Sequence, residues 1–294
     1  MNDLIFENIV LFSDIDGTLC TYDKKIPKRN LDAINRFKLL GGKFSICTGR
    51  SALSLRRAVD VSILNFPAII FNGGGIYDYS KDEYIKDSSL PIDVAPFVNE
   101  IFEKYPDVGL EVNVDNVLYC VKYSDRSSRH ILTENSEFKL YDMSELPKGK
   151  YKKVLFTGDS SDIDRLSADF LRRNSDENDY YFLRSEPGLF ELLPKGAKKG
   201  IAVKEISEMY GIPIENIYAI GDYYNDATML EAAGCSCAVF GAPKEIIDIA
   251  DYVSCPCNEG AVADFIDYIE RKITKQREQQ TLFKTLQKRL LWND

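Results

Sequence analysis

Two short acidic runs hold the residues best suited to chemistry. Asp14 and Asp16 flank one isoleucine and lead into Gly17-Thr18-Leu19, and much later Gly221-Asp222-Tyr223-Tyr224-Asn225-Asp226 sets two more acids beside glycine and asparagine. Carboxylates gathered this closely repel one another unless a cation lies among them, and an all-oxygen donor set suits Mg2+. A lone Asp-x-Asp is a weak signal. Asp-x-Asp-Gly-Thr-Leu at the tip of one apolar run, with Gly-Asp-x-x-Asn-Asp at the tip of another, is far more specific. Thr48-Gly49-Arg50 closes a third apolar run, and Lys199-Gly200 opens a helical stretch.

The elements that must position these residues alternate between strand and helix. Ile9-Val10-Leu11-Phe12 is a continuous apolar run, as expected of a strand buried on both faces. Pro27 suits a helix start, Leu31, Ile34 and Phe37 recur at helical spacing, and Gly41-Gly42 is a stop signal. Phe44-Ser45-Ile46-Cys47 and Ala68-Ile69-Ile70-Phe71 are the next strands, the latter running into Asn72-Gly73-Gly74-Gly75. This order predicts a doubly wound, mainly parallel, Rossmann-like α/β sheet, with ligand beyond the carboxyl ends of its strands. The polar and glycine-rich loops would then converge on one edge.

From about residue 85 to 192 the pattern changes to strands of mixed polarity with helices between them, predicting an inserted α+β domain. The catalytic core is accordingly read as 1–84 plus 193–294, and the insert as 85–192. The alternation returns with a helix over Ile201 to Tyr210, the strand Ile217-Tyr218-Ala219-Ile220, and further strands at Ala238 to Phe240 and Tyr252-Val253. Val262, Phe265, Ile266, Ile269 and Ile273 form one helix face. The basic tail 275–294, with Leu282, Phe283, Leu286 and Leu290 at helical spacing, reads as a helix packed on the core, or alternatively as a partner contact.

Composition narrows the function. With 294 residues, 45% hydrophobic and 28% charged, the chain can bury a sizeable core, and length alone suggests two domains. Lysine and arginine total 37 against 46 acids, a net charge of -9, which disfavours nonspecific nucleic-acid or anionic-membrane binding. No apolar run approaches a membrane span, and Met1 to Asn8 lacks the positive start of a signal peptide, so a cytoplasmic protein is expected. The single histidine, His130, excludes multi-histidine metal sites and reads as a satisfied structural residue. The seven cysteines include two C-x-C pairs, Cys235/Cys237 and Cys255/Cys257. Zinc ligation by the four is conceivable, but small buried packing residues are the expectation.

The motifs together resemble the haloacid dehalogenase superfamily, specifically its Cof-like phosphatases with a large inserted α+β cap. The resemblance rests on Asp14-Ile15-Asp16-Gly17-Thr18-Leu19, Cys47-Thr48-Gly49-Arg50, Lys199-Gly200 and Gly221-Asp222 through Asp226, in that order. Phe71-Asn72-Gly73-Gly74, Glu191-Leu192-Leu193-Pro194 and Asn258-Glu259-Gly260-Ala261-Val262 agree with it, and it covers about residues 8 to 270. It implies a Mg2+-dependent phosphomonoester hydrolase acting on a small phosphorylated metabolite such as a sugar phosphate. Asp14 would be the nucleophile that becomes an aspartyl-phosphate, and Asp16 the general acid, then base. Thr48, the Gly49 N–H and Lys199 would meet the phosphoryl oxygens. Asp14, the Asp16 carbonyl and Asp222 would hold Mg2+, with Asp226 orienting Lys199 or metal-bound water. Asn72, Gly73 and Asn225 would face the substrate, while Arg50 would touch it or stabilise its own loop. Lys195 and Lys198 lie near Lys199, but the family's lysine directly precedes glycine. One departure is Gly241-Ala242, where relatives often carry Asn-Ala. A phosphomutase, or a silent binding or regulatory protein, are the competing readings of the same scaffold.

Overall fold

The computed structural model describes residues 4–133 and 139–291. In chain order it opens with β1 (Val10–Ser13), α1 (Lys28–Leu39), β2 (Lys43–Ile46), α2 (Ala52–Ala58), β3 (Ala68–Ile70), β4 (Gly75–Asp78) and β5 (Glu83–Asp87). There follow α3 (Ala95–Lys104), β6 (Gly109–Val114), β7 (Val117–Lys122), α4 (Asp125–Thr133), β8 (Tyr151–Thr157), α5 (Ser160–Phe170), β9 (Tyr180–Glu186) and β10 (Leu189–Pro194). The chain then makes α6 (Lys199–Tyr210), β11 (Ile217–Gly221), α7 (Ala227–Ala232), β12 (Cys235–Ala238), α8 (Lys244–Ile249), β13 (Tyr252–Val253) and α9 (Ala261–Leu291).

The parallel sheet has the order β13-β12-β11-β1-β2. Its strands alternate between two cores, which is why they read as unbroken apolar runs. Leu11, Phe44, Ile46 and Ile220 pack with residues of α1, α2 and α9. Val10, Phe12 and Ala219 pack with residues of α6, α7 and α8. The helix face Val262, Phe265, Ile266, Ile269 and Ile273 is buried in the first of these cores. At roughly 25 cal/mol per Å2 of apolar surface removed from water, each such side chain contributes about 1.5–3 kcal/mol.

Register, more than any single contact, brings the loops together. Ser13 is level with Ile220 of β11 and with Ile46 of β2, so Asp14, Asp222 and Thr48 all follow at the same edge. The Asp14 N–H donates to the Ile220 carbonyl at 3.0 Å, and the Thr48 N–H to the Ile69 carbonyl at 2.9 Å, which adds the end of β3 to the same edge.

Two antiparallel sheets complete the fold. One is the hairpin β3-β4-β5 and the other has the order β7-β6-β8-β10-β9. In the larger sheet, period-two alternation separates two faces. Leu110, Val112, Val154, Phe156, Phe190 and Leu192 pack with Val98, Ile101, Ile163 and Phe170 of α3 and α5. The opposite face carries Glu111, Lys153 and Glu191, all buried.

Two sequence expectations are corrected. The strand placed at Ala238 to Phe240 is Cys235–Ala238; it pairs with Tyr218–Gly221, and Gly241 (φ 95°) then turns the chain, leaving Phe240 exposed. The run after Asn72 does not stay a loop, because Gly75–Asp78 pairs back on Ala68–Ile70. Cys235, Cys237 and Cys257 are buried in the apolar core and all seven thiols are free, as packing residues would be. α9 carries the tail as helix, with Phe283 exposed; the Leu282, Leu286 and Leu290 side chains lie outside the described residues. Among the described residues no helix is long and apolar enough to cross a membrane.

Candidate active site

Asp14 stands one residue beyond β1, and Lys199 is the first residue of α6. The Lys199 Nζ lies 2.6 Å from Asp14 Oδ1 and 2.6 Å from Asp226 Oδ1. The neighbouring lysines go elsewhere: Lys195 Nζ donates to the Asp176 carbonyl and Lys198 Nζ sits over the Tyr181 ring. Asp226 spends its second oxygen on the N–H groups of Asp222 (2.9 Å) and Tyr223 (3.1 Å), which shapes the loop after β11. Thr18 donates to Asp222 Oδ1 at 2.6 Å and ties that loop to the one after β1.

Glycines let these segments meet. Gly73 has φ 98°, and a Cβ there would lie 2.4 Å from the Lys198 carbonyl oxygen. Gly73 is thus buried against the start of α6, where it lets Lys199 approach. Gly49 is covered by the Asn72 side chain, which would be 3.0 Å from any added Cβ. Asn72 itself has positive φ (54°); its amide donates to Glu191 Oε2 at 3.3 Å and its oxygen accepts from Asn225 at 3.2 Å.

Asp16 is gripped differently. Arg50 reaches it with Nε to Oδ2 (3.0 Å) and Nη2 to Oδ1 (3.1 Å), and Lys24 adds a contact of 2.7 Å. Burial favours its neutral form, but Arg50 and then Lys24 outweigh this and hold its carboxyl well below the ordinary range. Asp14 goes the other way: burial, with Asp226 and Asp16 nearby, lifts it to about 7 against the pull of Lys199. Asp222 is likewise pushed up, by burial first and then by Asp14 and Asp226. Burial also works against the Lys199 charge, yet Asp14 and Asp226 keep it protonated well above the usual lysine value.

This imbalance is the test for a metal. Asp14, Asp222 and Asp226 each offer an oxygen within 4.8 Å of the others. One lysine does not neutralise three clustered carboxylates, two of them buried, and an all-oxygen donor set is the chemistry of a hard divalent cation. The residues present therefore fit Mg2+. Among the described residues the cysteine pairs form no comparable cluster.

The acids open on a cavity of about 860 Å3 whose far wall is the larger antiparallel sheet and α4. Asp14, Asp16, Thr48, Gly49, Arg50, Asp222 and Asn225 line one side, while Arg126, His130, Lys153, Ser185 and Glu186 line the other. Of these wall residues only His130 stood out in the sequence; Lys153, Ser185 and Glu186 did not, nor did Lys24, and Thr18 stood in the first acidic motif without a role. Glu191 lay within a recognised motif, but without a role. His130 is a satisfied residue, with Nδ1 2.6 Å from Glu111 Oε2, but it also faces the cavity.

Comparison with known proteins places the chain in a family. The family model described as haloacid dehalogenase-like hydrolase matches residues 11–266. The chain is 28% identical over 261 residues to a Bacillus subtilis protein named 5-amino-6-(5-phospho-D-ribitylamino)uracil phosphatase YitU, covering 86% of this chain and 94% of that one. It is 25% identical over 223 residues to an HMP-PP phosphatase of Escherichia coli O6:H1, covering 75% and 80%. In fold it is similar to a haloacid dehalogenase-like hydrolase from Bacteroides thetaiotaomicron, with TM-score 0.75, 23% identity, and 89% and 99% of the two chains covered. The subclass IIB sugar phosphatase BT4131 also has TM-score 0.75, at 21% identity, with 88% and 98% covered. The chain therefore belongs to the haloacid dehalogenase-like hydrolases, in their Cof-like phosphatase branch.

Proposed function

We propose that the chain is a Mg2+-dependent phosphomonoester hydrolase that acts on a small phosphorylated metabolite, a sugar phosphate in particular, through phosphorylation of Asp14. The observation that carries this reading is the buried Asp14 carboxylate, positioned by Lys199 at the edge of a large cavity that charged side chains line on both sides. Asp14, Asp222 and the backbone carbonyl of Asp16 would hold Mg2+, which when bound offsets the charge of the incoming phosphate.

Asp14 attacks phosphorus; a bond forms to its carboxylate oxygen as the bond to the leaving oxygen breaks. Asp16 gives the leaving oxygen its proton, then takes one from the water that releases phosphate from Asp14. In the conformation seen, Arg50 and Lys24 hold Asp16 as a carboxylate, so its turn as an acid requires that grip to loosen as substrate enters. The Thr48 hydroxyl accepts from the Arg50 N–H at 3.3 Å, which leaves its own hydrogen free for a phosphoryl oxygen. Lys199 neutralises the nucleophile's surroundings without leaving its two acids, and Asp226 keeps it aimed. Residues 85–192 would be the cap and 1–84 with 193–294 the catalytic core, although β5 and β10 straddle those limits. A ribityl-phosphate relative supports a hydroxyl-rich leaving group, and a cytoplasmic location goes with such a substrate.

The test is phosphate release with Mg2+ across sugar phosphates, nucleotides, pyridoxal phosphate and an aryl phosphate. Preference for sugar phosphates is expected. Release that requires a bisphosphate activator, with isomerised rather than dephosphorylated product, would favour a mutase instead.

A further inference from the structure

One side chain of the cap sheet reaches into the loop that carries Thr48 and Gly49. Lys153 of β8 donates from Nζ to the Gly49 carbonyl oxygen at 3.1 Å, and the same Nζ lies 3.3 Å from Glu191 Oε2 of β10. Glu191 also accepts from the Asn72 amide, so the pair grips both loops beneath it. Lys153 is 6% exposed and Glu191 2%, which makes this a buried charge pair at the seam and no incidental surface contact.

The consequence follows from the planarity of one peptide. The Gly49 carbonyl and the Arg50 N–H belong to the same rigid unit. Lys153 holds its oxygen, and its N–H donates to the Thr48 hydroxyl at 3.3 Å. The Arg50 side chain, on the next atom along, holds both oxygens of Asp16. A tilt of that peptide would turn the Thr48 hydroxyl and shift the guanidinium on Asp16 together.

The geometry points to Lys153 as a positioning residue: through the Gly49–Arg50 peptide it sets the Thr48 hydroxyl and Asp16, and so makes the chemistry depend on the cap being seated. This rests on the phosphatase reading for its kinetic test, but not for its structural one. A small aryl phosphate with Mg2+ is the kinetic probe, since it leaves most of the cavity wall untouched. Lys153→Met is expected to lower kcat about 10- to 100-fold, the scale of a modest misplacement of reacting groups, with KM within about threefold of wild type. Lys153→Arg, which keeps the donor, should recover part of the loss. Because Lys153→Met strands a buried carboxylate, the double variant Lys153→Met with Glu191→Gln is made alongside and should show the same kcat loss in a folded protein. Hydrogen–deuterium exchange over residues 47–51, without substrate, should be faster in the double variant. Raised KM at retained kcat would make Lys153 a substrate contact and overturn the proposal. Unchanged kinetics, or unchanged exchange, would overturn it as well. A wild type inert toward the aryl phosphate would count against the phosphatase reading alone, and the exchange result would still decide whether Lys153 orders the loop.

Discussion

Lys199 Nζ sits 2.6 Å from Asp14 and 2.6 Å from Asp226, with none of the three side chains more than 10% exposed. An ammonium held this way cannot leave without stranding two carboxylates in a low-dielectric site. Lys199→Met should therefore lower turnover by about 10²- to 10³-fold at saturating Mg2+, the range for removing one preorganised charge-stabilising donor. It should also shift the urea midpoint downward, since breaking a buried pair costs about 3–5 kcal/mol. Steady-state kinetics and urea unfolding check the two parts.

Asp16 separates from the metal in a way that can be tested. Its side-chain oxygens are taken by Arg50 and Lys24, and only its backbone carbonyl is assigned to Mg2+. Asp16→Asn should cut turnover by about 10²- to 10⁴-fold, the span of general acid–base catalysis, while Mg2+ affinity by calorimetry changes little. Collapse of Mg2+ binding would show that the side chain is a ligand.

Metal removal should abolish activity and destabilise the fold. EDTA is expected to inactivate, and added Mg2+ to restore turnover. Mg2+ at a hundredfold excess over its Kd should stabilise by about 2.7 kcal/mol, seen as a higher melting temperature. Asp222→Asn should weaken that shift. Activity indifferent to chelation would contradict the metal assignment.

Gly73 tests how the site is assembled. Its φ is 98°, and a Cβ would meet the Lys198 carbonyl at 2.4 Å. Gly73→Ala should cost about 1–3 kcal/mol through backbone strain, and should lower kcat because the start of α6 must move with Lys199. Chemical unfolding and kinetics on the same preparation would show both losses; a stable, fully active variant would contradict the packing role.

A pH effect belongs to α3, which packs on the larger antiparallel sheet. Arg173, then Lys104, hold Glu100 down to about 2 from an ordinary 4.5. A carboxyl depressed in the folded state stabilises above its unfolded value and loses that contribution as pH falls through the folded one. Glu100→Gln should therefore be less stable than wild type at neutral pH, and the difference should shrink between about pH 4.5 and 2. Thermal melts of both proteins across that range measure it.

Much of the fold was legible because its signals are local. Unbroken apolar strands, Gly41 and Gly42 after α1, and the face from Val262 to Ile273 on α9 each follow from one stretch of chain. The acids were legible for the same reason: Asp14, Asp16, Asp222 and Asp226 sit at strand ends in recognisable company. The hairpin β4-β5 was hidden because Gly73, Gly74 and Gly75 read as a loop until pairing with β3 is known. The far wall of the cavity was hidden more deeply. Lys153, Ser185 and Glu191 face the acids only because antiparallel register places them on one side of a sheet, and no short-range pattern encodes that. Lys24 looks like any loop lysine until its contact with Asp16 is seen.

The most direct measurement is acid-quenched mass spectrometry after a single turnover with Mg2+ and an aryl phosphate. Phosphate carried on the peptide that contains Asp14, and missing from an Asp14→Asn protein that still folds, is the expected result. Turnover with no phosphorylated peptide, or phosphate release by Asp14→Asn at a rate near wild type, would contradict Asp14 as the nucleophile.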